Sequence, residues 1–312
     1  MSERGRERVW RPDWPVSVRG MLWTHRRGHG DPTYRIDDAG RVWRGIRTPE
    51  GVATIVYEGR PSDGTVLGRA WGPGADWALE WLPSTLGADD DPSGFEPRHP
   101  ALVEAWRRHG HLRVSRSGLV WEAMLPAILE QKVTSQEAFG GFRLLVHRFG
   151  ERAPGPGRDL RLWVQPSAEQ VAMIPSWGWR QCHVDHARSR AAVVAARVAP
   201  ALERTIDLPG AEAERRMCTL PGIGVWTAAE VRQRAHGDAD AVSFGDYHVC
   251  KDVGHALAGR EFDDDEMAEF LEPWRPHRGR VPVLISVAGL RRPRHGAKMA
   301  PRTHLPANVV RR

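Results

Sequence analysis

Lysine is nearly missing from this chain. Of 45 basic residues only three are lysines, Lys132, Lys251 and Lys298, so any chemistry that needs a primary amine has three candidates. Cysteine is as rare. Cys182, Cys218 and Cys250 are scattered and odd in number, which excludes a disulfide framework and fits a reducing compartment. Cys182, His183 and His186 are the one grouping that suggests metal ligands, but no fourth partner stands at a recognisable spacing, so structural roles and no metal are expected. No apolar run is long enough to span a membrane and no stretch reads as a signal peptide. The expected place is the cytoplasm, at the nucleoid, with no membrane partner.

What is present is length and positive charge. The chain has 312 residues, enough for two domains with sizeable cores. Its net charge is +6, which suits a polyanionic partner. Residues 1–12 are polar and read as loose. From Trp14 to Trp81 the pattern is β-like. Residues 16–23 contain an alternating run, and Thr33-Tyr34-Arg35-Ile36 and Arg41-Val42-Trp43-Arg44-Gly45-Ile46 flank a hairpin turn at Asp37-Asp38-Ala39-Gly40. Residues 52–57 and 65–71 add two more strands. An antiparallel β domain over 1–88 is expected, with a scaffolding role.

Residues 89–99, with Asp89-Asp90-Asp91 and two prolines, read as a linker. The rest is helical. Trp121, Met124, Leu125, Ile128, Leu129 and Val133 fall at spacings of three and four, the stripe of a core helix. Ser167 to Gln170 and Asp263 to Glu266 read as helix starts. A helical core over 100–290 and a tail over 291–312, with seven Arg or Lys and no acid, complete the division. The fold class is α+β: a β domain followed by an all-α core.

The most informative stretch is Leu220-Pro221-Gly222-Ile223-Gly224-Val225-Trp226-Thr227. It joins a short helical segment at 211–218 to another at 225–236. Glycine takes a positive φ without a Cβ penalty, so the chain can reverse tightly there. The second helix then begins with unpaired N–H groups, which suit a phosphate. The functional reading is a helix–hairpin–helix that grips a nucleic-acid backbone. The bland reading is an ordinary glycine-capped connection. After a short apolar run, Ala241-Val242-Ser243-Phe244-Gly245, comes Asp246, then a helical pattern at 247–258. Asp246 reads either as a helix N-cap or as a carboxylate at the mouth of a pocket.

Taken together, Leu-Pro-Gly-Ile-Gly-Val-Trp-Thr and the later Gly245-Asp246-Tyr247 resemble the helix–hairpin–helix–Gly/Pro–Asp superfamily of DNA glycosylases, in particular its 3-methyladenine branch. Glu272-Pro273-Trp274-Arg275-Pro276 resembles that family's Trp-Arg-Pro signature in its last core helix. The resemblance implies an enzyme that rotates a damaged nucleotide out of duplex DNA and cleaves the bond between base and sugar. It assigns catalysis to Asp246, the DNA backbone to Gly222, Gly224, Trp226 and Thr227, and the base pocket to Trp226 and Tyr247. It assigns filling of the emptied stack to Gln131 and Lys132, although relatives place an apolar wedge where Lys132 stands. Bifunctional members carry a nucleophilic lysine at the position of Trp226, so a glycosylase without lyase activity is implied. Lys251 is expected to be structural or to face a phosphate. Some members hold an iron–sulfur cluster on four cysteines, which this chain lacks. No cofactor is expected, apart from a monovalent cation at the hairpin, and the expected state is a monomer. Excision of a deaminated or oxidised base, and non-catalytic binding of damaged DNA, are the alternatives. A transcriptional regulator is disfavoured, because no major-groove recognition helix stands out.

Overall fold

The computed structural model describes residues 5–293. Its first unit is an antiparallel sheet of β1 (Arg6–Trp10), β2 (Tyr34–Ile36), β3 (Val42–Thr48), β4 (Gly51–Arg60) and β5 (Thr65–Trp71), in the spatial order β1-β5-β4-β3-β2. The two-residue period sorts side chains to opposite faces. Val42, Ile46, Ala53, Ile55, Tyr57, Val66 and Ala70 bury against α1 (Val18–Leu22), α2 (Ala75–Glu80) and α3 (Leu82–Thr85). Trp43 and Val56 take the other face and pack on Ala153, Leu162 and Val164. Those three belong to the small hairpin of β6 (Glu151–Arg152) and β7 (Trp163–Val164) and the turn between them. The helical half of the chain therefore covers one face of the sheet.

Two readings of the N-terminal unit are corrected. Residues 6–10 are not loose: β1 pairs with β5, Arg6 opposite Ala70 and Trp10 opposite Val66. As an edge strand it is exposed along its length and carries charged side chains, which is how edge strands avoid further pairing. Residues 18–22 form a helix instead of a strand. The Ser17 hydroxyl caps it by accepting from the Gly20 amide, and Val18, Met21 and Leu22 turn one buried face to the sheet.

The helical part contains α4 (Pro100–His109), α5 (Val120–Leu129), α6 (Ser135–Phe149), α7 (Ala168–Ala172), α8 (Ser176–Gln181), α9 (His186–Arg197), α10 (Ala199–Glu203), α11 (Gly210–Met217), α12 (Val225–Val231), α13 (Val249–Ala258), α14 (Asp264–Leu271) and α15 (Arg280–Val287). Every residue of α5 but Glu122 is buried, and the helix is the axis of a core that also takes in α6, α7 and α9–α12. Its first turn has no cap of its own. Glu203 supplies one from α10, its carboxylate accepting from the Val120 and Trp121 amides at 2.9 and 2.8 Å. The starts expected at Ser167 and Asp263 are both capping boxes.

A separate core gathers Phe95, α4, α13, α14 and α15. Phe95 and Asp90 show that residues 89–99 are anchored and do not hang free. Asp90 pairs with Arg280 of α15, both side chains 4% exposed, and accepts the Val114 amide at 2.9 Å. The Trp-Arg-Pro segment lies ahead of α15: Trp274 ends a 3₁₀ turn, Arg275 and Pro276 follow it, and Trp274 Nε1 donates to Glu96 O at 2.9 Å. Arg291 to Pro293 are the only part of the expected basic tail within the described residues; Lys298 lies outside them. Among the described residues no helix is long and apolar enough to cross a membrane.

Candidate nucleic-acid interface

The α11–α12 connection is a tight hairpin anchored by one buried side chain, Ile223, while Pro221, Gly222, Gly224 and Val225 are exposed. Gly222 has φ +86°, and a Cβ there would lie 2.8 Å from the Ala191 Cβ of α9. Gly224 is different. It is the extended N-cap of α12, no side chain caps that helix, and a Cβ would meet nothing within 4 Å. The first amides of α12 thus face an open surface. The helix runs on through a π turn, Arg232–His236. Thr227, expected on the DNA side, is buried, its hydroxyl taken by Gln131.

The turn between α5 and α6 lies against this hairpin. Gln131 Nε2 donates to Gly222 O at 2.9 Å and to Thr227 Oγ1 at 2.8 Å. Gln131 is therefore a strut of the hairpin, and its amide is not free to enter a base stack. Lys132 is exposed at the tip of the turn, in the left-handed region at φ +55°. That conformation costs a non-glycine residue about 1 kcal/mol. Lys132→Gly should leave stability unchanged or slightly higher in urea unfolding, by up to about 1 kcal/mol. It should also weaken binding to a duplex with an abasic site about tenfold or more in a fluorescence-anisotropy titration, the equivalent of about 1.4 kcal/mol. Unchanged affinity would make Lys132 a bystander.

The glycines give a second test. Gly224→Ala places a methyl group on the open surface where a phosphate would approach. It should weaken binding to unrelated duplexes alike while the fold is kept, since phosphate contacts carry no sequence information. Gly222→Ala should instead lower stability, because it combines a positive φ with a contact that forces α9 to shift. Thermal unfolding separates the two.

Asp246 stands just before α13 and divides its two oxygens. Oδ1 accepts the amides of His248 at 2.7 Å and Val249 at 3.1 Å, the work of an N-cap. Among the described residues Oδ2 has only a long contact to Trp226 Nε1, at 3.4 Å. A capped helix thus fixes the carboxylate while one oxygen is left for other business. Trp226, on the first turn of α12, lies beside that oxygen. Tyr247 is not brought to this place. Its ring is 68% exposed and lies under Lys251, whose Nζ is 3.6 Å from the ring centroid. Lys251 and Arg292 hold the Tyr247 hydroxyl below the usual tyrosine range. Lys251 is also near Glu261, at 3.8 Å.

Composition and spacing did not single out the charged groups behind Asp246. Glu230, one turn after Trp226 on α12, is 9% exposed; it accepts the Ser243 hydroxyl at 2.6 Å and pairs with Arg234 at 2.8 Å. Arg234 reaches the N-terminal unit and donates to Thr24 O at 3.1 Å. Arg27, from that same unit, approaches Glu130 at 3.7 Å. Glu130 ends α5 directly before Gln131. The signal for it was present: a carboxylate at the C-terminus of an apolar helix opposes the helix dipole. Burial pushes the Glu130 carboxyl above the usual range; Arg27 and Arg234 pull it back, while Glu230 and Asp246 push it further up. Arg188 of α9 holds the end of α5 from the other side, donating to Leu129 O at 2.7 Å.

Cys182 is fully buried, and burial pushes its thiol up to about 11, which suits a core side chain and not a ligand or nucleophile. Among the described residues no three His, Cys, Asp or Glu side chains converge as a metal site.

No family model matches the chain, and comparison with curated proteins gives no match. Solved structures do match. The 3-methyladenine DNA glycosylase from Archaeoglobus fulgidus aligns at TM-score 0.74 and 19% identity, over 90% of this chain and 98% of that one. The Clostridium acetobutylicum 8-oxoguanine glycosylase/lyase, in complex with double-stranded DNA containing cytosine opposite 8-oxoguanine, aligns at 0.69 and 13%, over 92% and 97%. The Schizosaccharomyces pombe 3-methyladenine DNA glycosylase, in complex with abasic DNA, aligns at 0.50 and 15%, over 62% of this chain and 92% of that one. The chain has the fold of the helix–hairpin–helix DNA glycosylases, including the β domain ahead of the helical core.

Proposed function

We propose that this protein is a DNA glycosylase that excises alkylated bases of the 3-methyladenine kind from duplex DNA, as a monomer and without cleaving the strand. One observation carries the reading. Asp246 is fixed by two backbone amides through Oδ1 and keeps Oδ2 beside Trp226, next to the exposed hairpin.

The hairpin amides hold the backbone beside the lesion, and Lys132 enters or borders the space left by the rotated nucleotide. The Asp246 carboxylate stabilises the positive charge that develops on the sugar as the base departs, and orients the water that attacks it. An alkylated purine is already cationic and departs without an acid to protonate it. One carboxylate is then sufficient. Trp226 has the position of the amine in bifunctional relatives, and an indole nitrogen forms no Schiff base. The Lys251 amine is committed to the Tyr247 face. Two hairpin carbonyls already accept hydrogen bonds, Leu220 O from the Ile223 amide and Gly222 O from Gln131.

Duplexes that each carry 3-methyladenine, hypoxanthine, uracil or 8-oxoguanine test the reading, with abasic sites counted after alkali. Release of 3-methyladenine ahead of the others is expected. Preferential release of 8-oxoguanine would move the protein to the oxidised-base alternative. Binding without release from any duplex would leave a damage-binding protein.

A further inference from the structure

The hairpin and Asp246 belong to different cores. α12, which begins at the hairpin, packs with α5 and α9. α13, which Asp246 caps, packs with α4, α14 and α15. Base release needs the two in register, because the hairpin holds the DNA backbone while the carboxylate must stand at the sugar. The contact from Trp226 Nε1 to Asp246 Oδ2, at 3.4 Å, is too long to fix that register. Ser243 makes a firmer tie. It is 6% exposed, its hydroxyl donates to Glu230 Oε1 at 2.6 Å, and the same oxygen accepts from Gln233 Nε2 at 3.0 Å. Both partners come from α12 and its π-turn continuation. Neither is free to swing: Glu230 pairs with Arg234 at 2.8 Å, and Gln233 also donates to Ala241 O at 3.1 Å.

From Ser243 a single turn leads to Asp246. Ser243 O accepts the Asp246 amide at 3.2 Å, which closes a β-turn over Phe244 and Gly245. Gly245, third in the turn, has φ +87°, the left-handed value that a type II turn requires there. Asp264 of α14 accepts the Gly245 amide through Oδ2 at 3.0 Å, and Phe244 packs against the core of α13 and α14. The path from α12 to the carboxylate is therefore bonded at Ser243, at Gly245 and at Asp246 itself. The Ser243 hydroxyl plays no part in closing the turn, which uses backbone atoms. An alanine at this position keeps the turn and loses the tie to α12.

We infer that Ser243 is a positioning residue for base release, whose hydroxyl sets the register between the DNA-holding hairpin and the Asp246 carboxylate. The inference rests on the glycosylase reading and deepens it. Ser243 is buried and acts through Asp246, not on the DNA. Without the hydroxyl the turn and α13 shift together against α12, so the carboxylate moves relative to a sugar that the hairpin still holds. A misplacement of about 1 Å costs up to about 10²-fold in rate. The chemical step suffers and DNA binding does not, because the hairpin amides and Lys132 lie on the other side of the tie.

The test compares wild type with Ser243→Ala and with Ser243→Thr, which keeps the hydroxyl. Single-turnover release from a 3-methyladenine duplex gives the maximal rate, and anisotropy on a duplex with an abasic site gives the affinity. Ser243→Ala should lower the maximal rate about 10- to 100-fold and change the affinity less than about threefold, while Ser243→Thr stays within about fivefold of the wild-type rate. Asp90→Ala controls for general loosening, since it breaks a buried pair on α15 and leaves the tie alone. It should be less stable than Ser243→Ala in thermal unfolding, yet keep the wild-type rate at a temperature where it is folded. A wild-type rate in Ser243→Ala, an affinity that falls in step with the rate, an equal fall in Ser243→Thr, or the same fall in Asp90→Ala overturns the inference. If the wild type releases no 3-methyladenine, it is the glycosylase reading that fails, which the wild-type measurement shows by itself.

Discussion

Replacing Asp246 with asparagine should lower base release from a 3-methyladenine duplex by about 10²- to 10³-fold while leaving the fold and the affinity for DNA nearly intact. The effect is that of removing one preorganised charge contact to a transition state, about 3–4 kcal/mol by analogy with the loss of one oxyanion-hole donor. The structure makes the substitution clean. Asparagine caps helices as well as aspartate does. Its carbonyl oxygen can accept the His248 and Val249 amides that Asp246 Oδ1 accepts now. The oxygen beside Trp226 is replaced by a neutral amide. Single-turnover release and anisotropy, run on the same preparation, read the two quantities. Wild-type release from the variant would reduce Asp246 to its capping role.

The second large effect concerns the fold. Asp90→Ala should destabilise the protein by about 3–5 kcal/mol in urea unfolding, because it strands Arg280 as an unpaired buried charge. Both side chains are 4% exposed, and the Asp90 carboxylate also holds the Val114 amide. Its neighbour is the control. Asp89 pairs with Arg116 at 3.1 Å with 41% of its side chain exposed, so Asp89→Ala should cost less than about 1 kcal/mol. Equal costs would mean that Asp90 does not bind the connecting segment to α15.

Why the linker reading was incomplete is instructive. Three consecutive aspartates look solvated, and nothing in Asp89-Asp90-Asp91 shows that one of them faces an arginine nearly two hundred residues away. The same limit explains β1. Residues 6–10 look polar because the strand pairs along one edge only and is exposed. Residues 18–22 fit both periods, since Val18, Met21 and Leu22 satisfy a helical face within a run short enough to read as alternating. Where local chemistry decides the structure, the reading was sound. The hairpin over Asp37 to Gly40, the capping boxes at Ser167 and Asp263, and the turn at Gly222 each follow from residues within a few positions of one another.

The candidate site divides along the same line. Gly222, Gly224, Trp226 and Asp246 were legible as a motif, and the structure brings them to one surface. Gln131 was legible as important, but only the fold shows its amide bound to Gly222 O. Tyr247 adjoins Asp246 in sequence, yet at the entry to α13 neighbouring side chains point apart, and its ring goes to Lys251. Glu130, Glu230, Arg27 and Arg234 meet across three separate parts of the chain. No local pattern could have joined them.

The most direct measurement is the mass of the two strands and of any free base after the protein has acted on a duplex with a single 3-methyladenine, without heat or alkali. The account predicts free 3-methyladenine and a full-length strand whose mass has changed by exchange of the base for a hydroxyl group. A strand shortened at the lesion, or no free base at all, would contradict it.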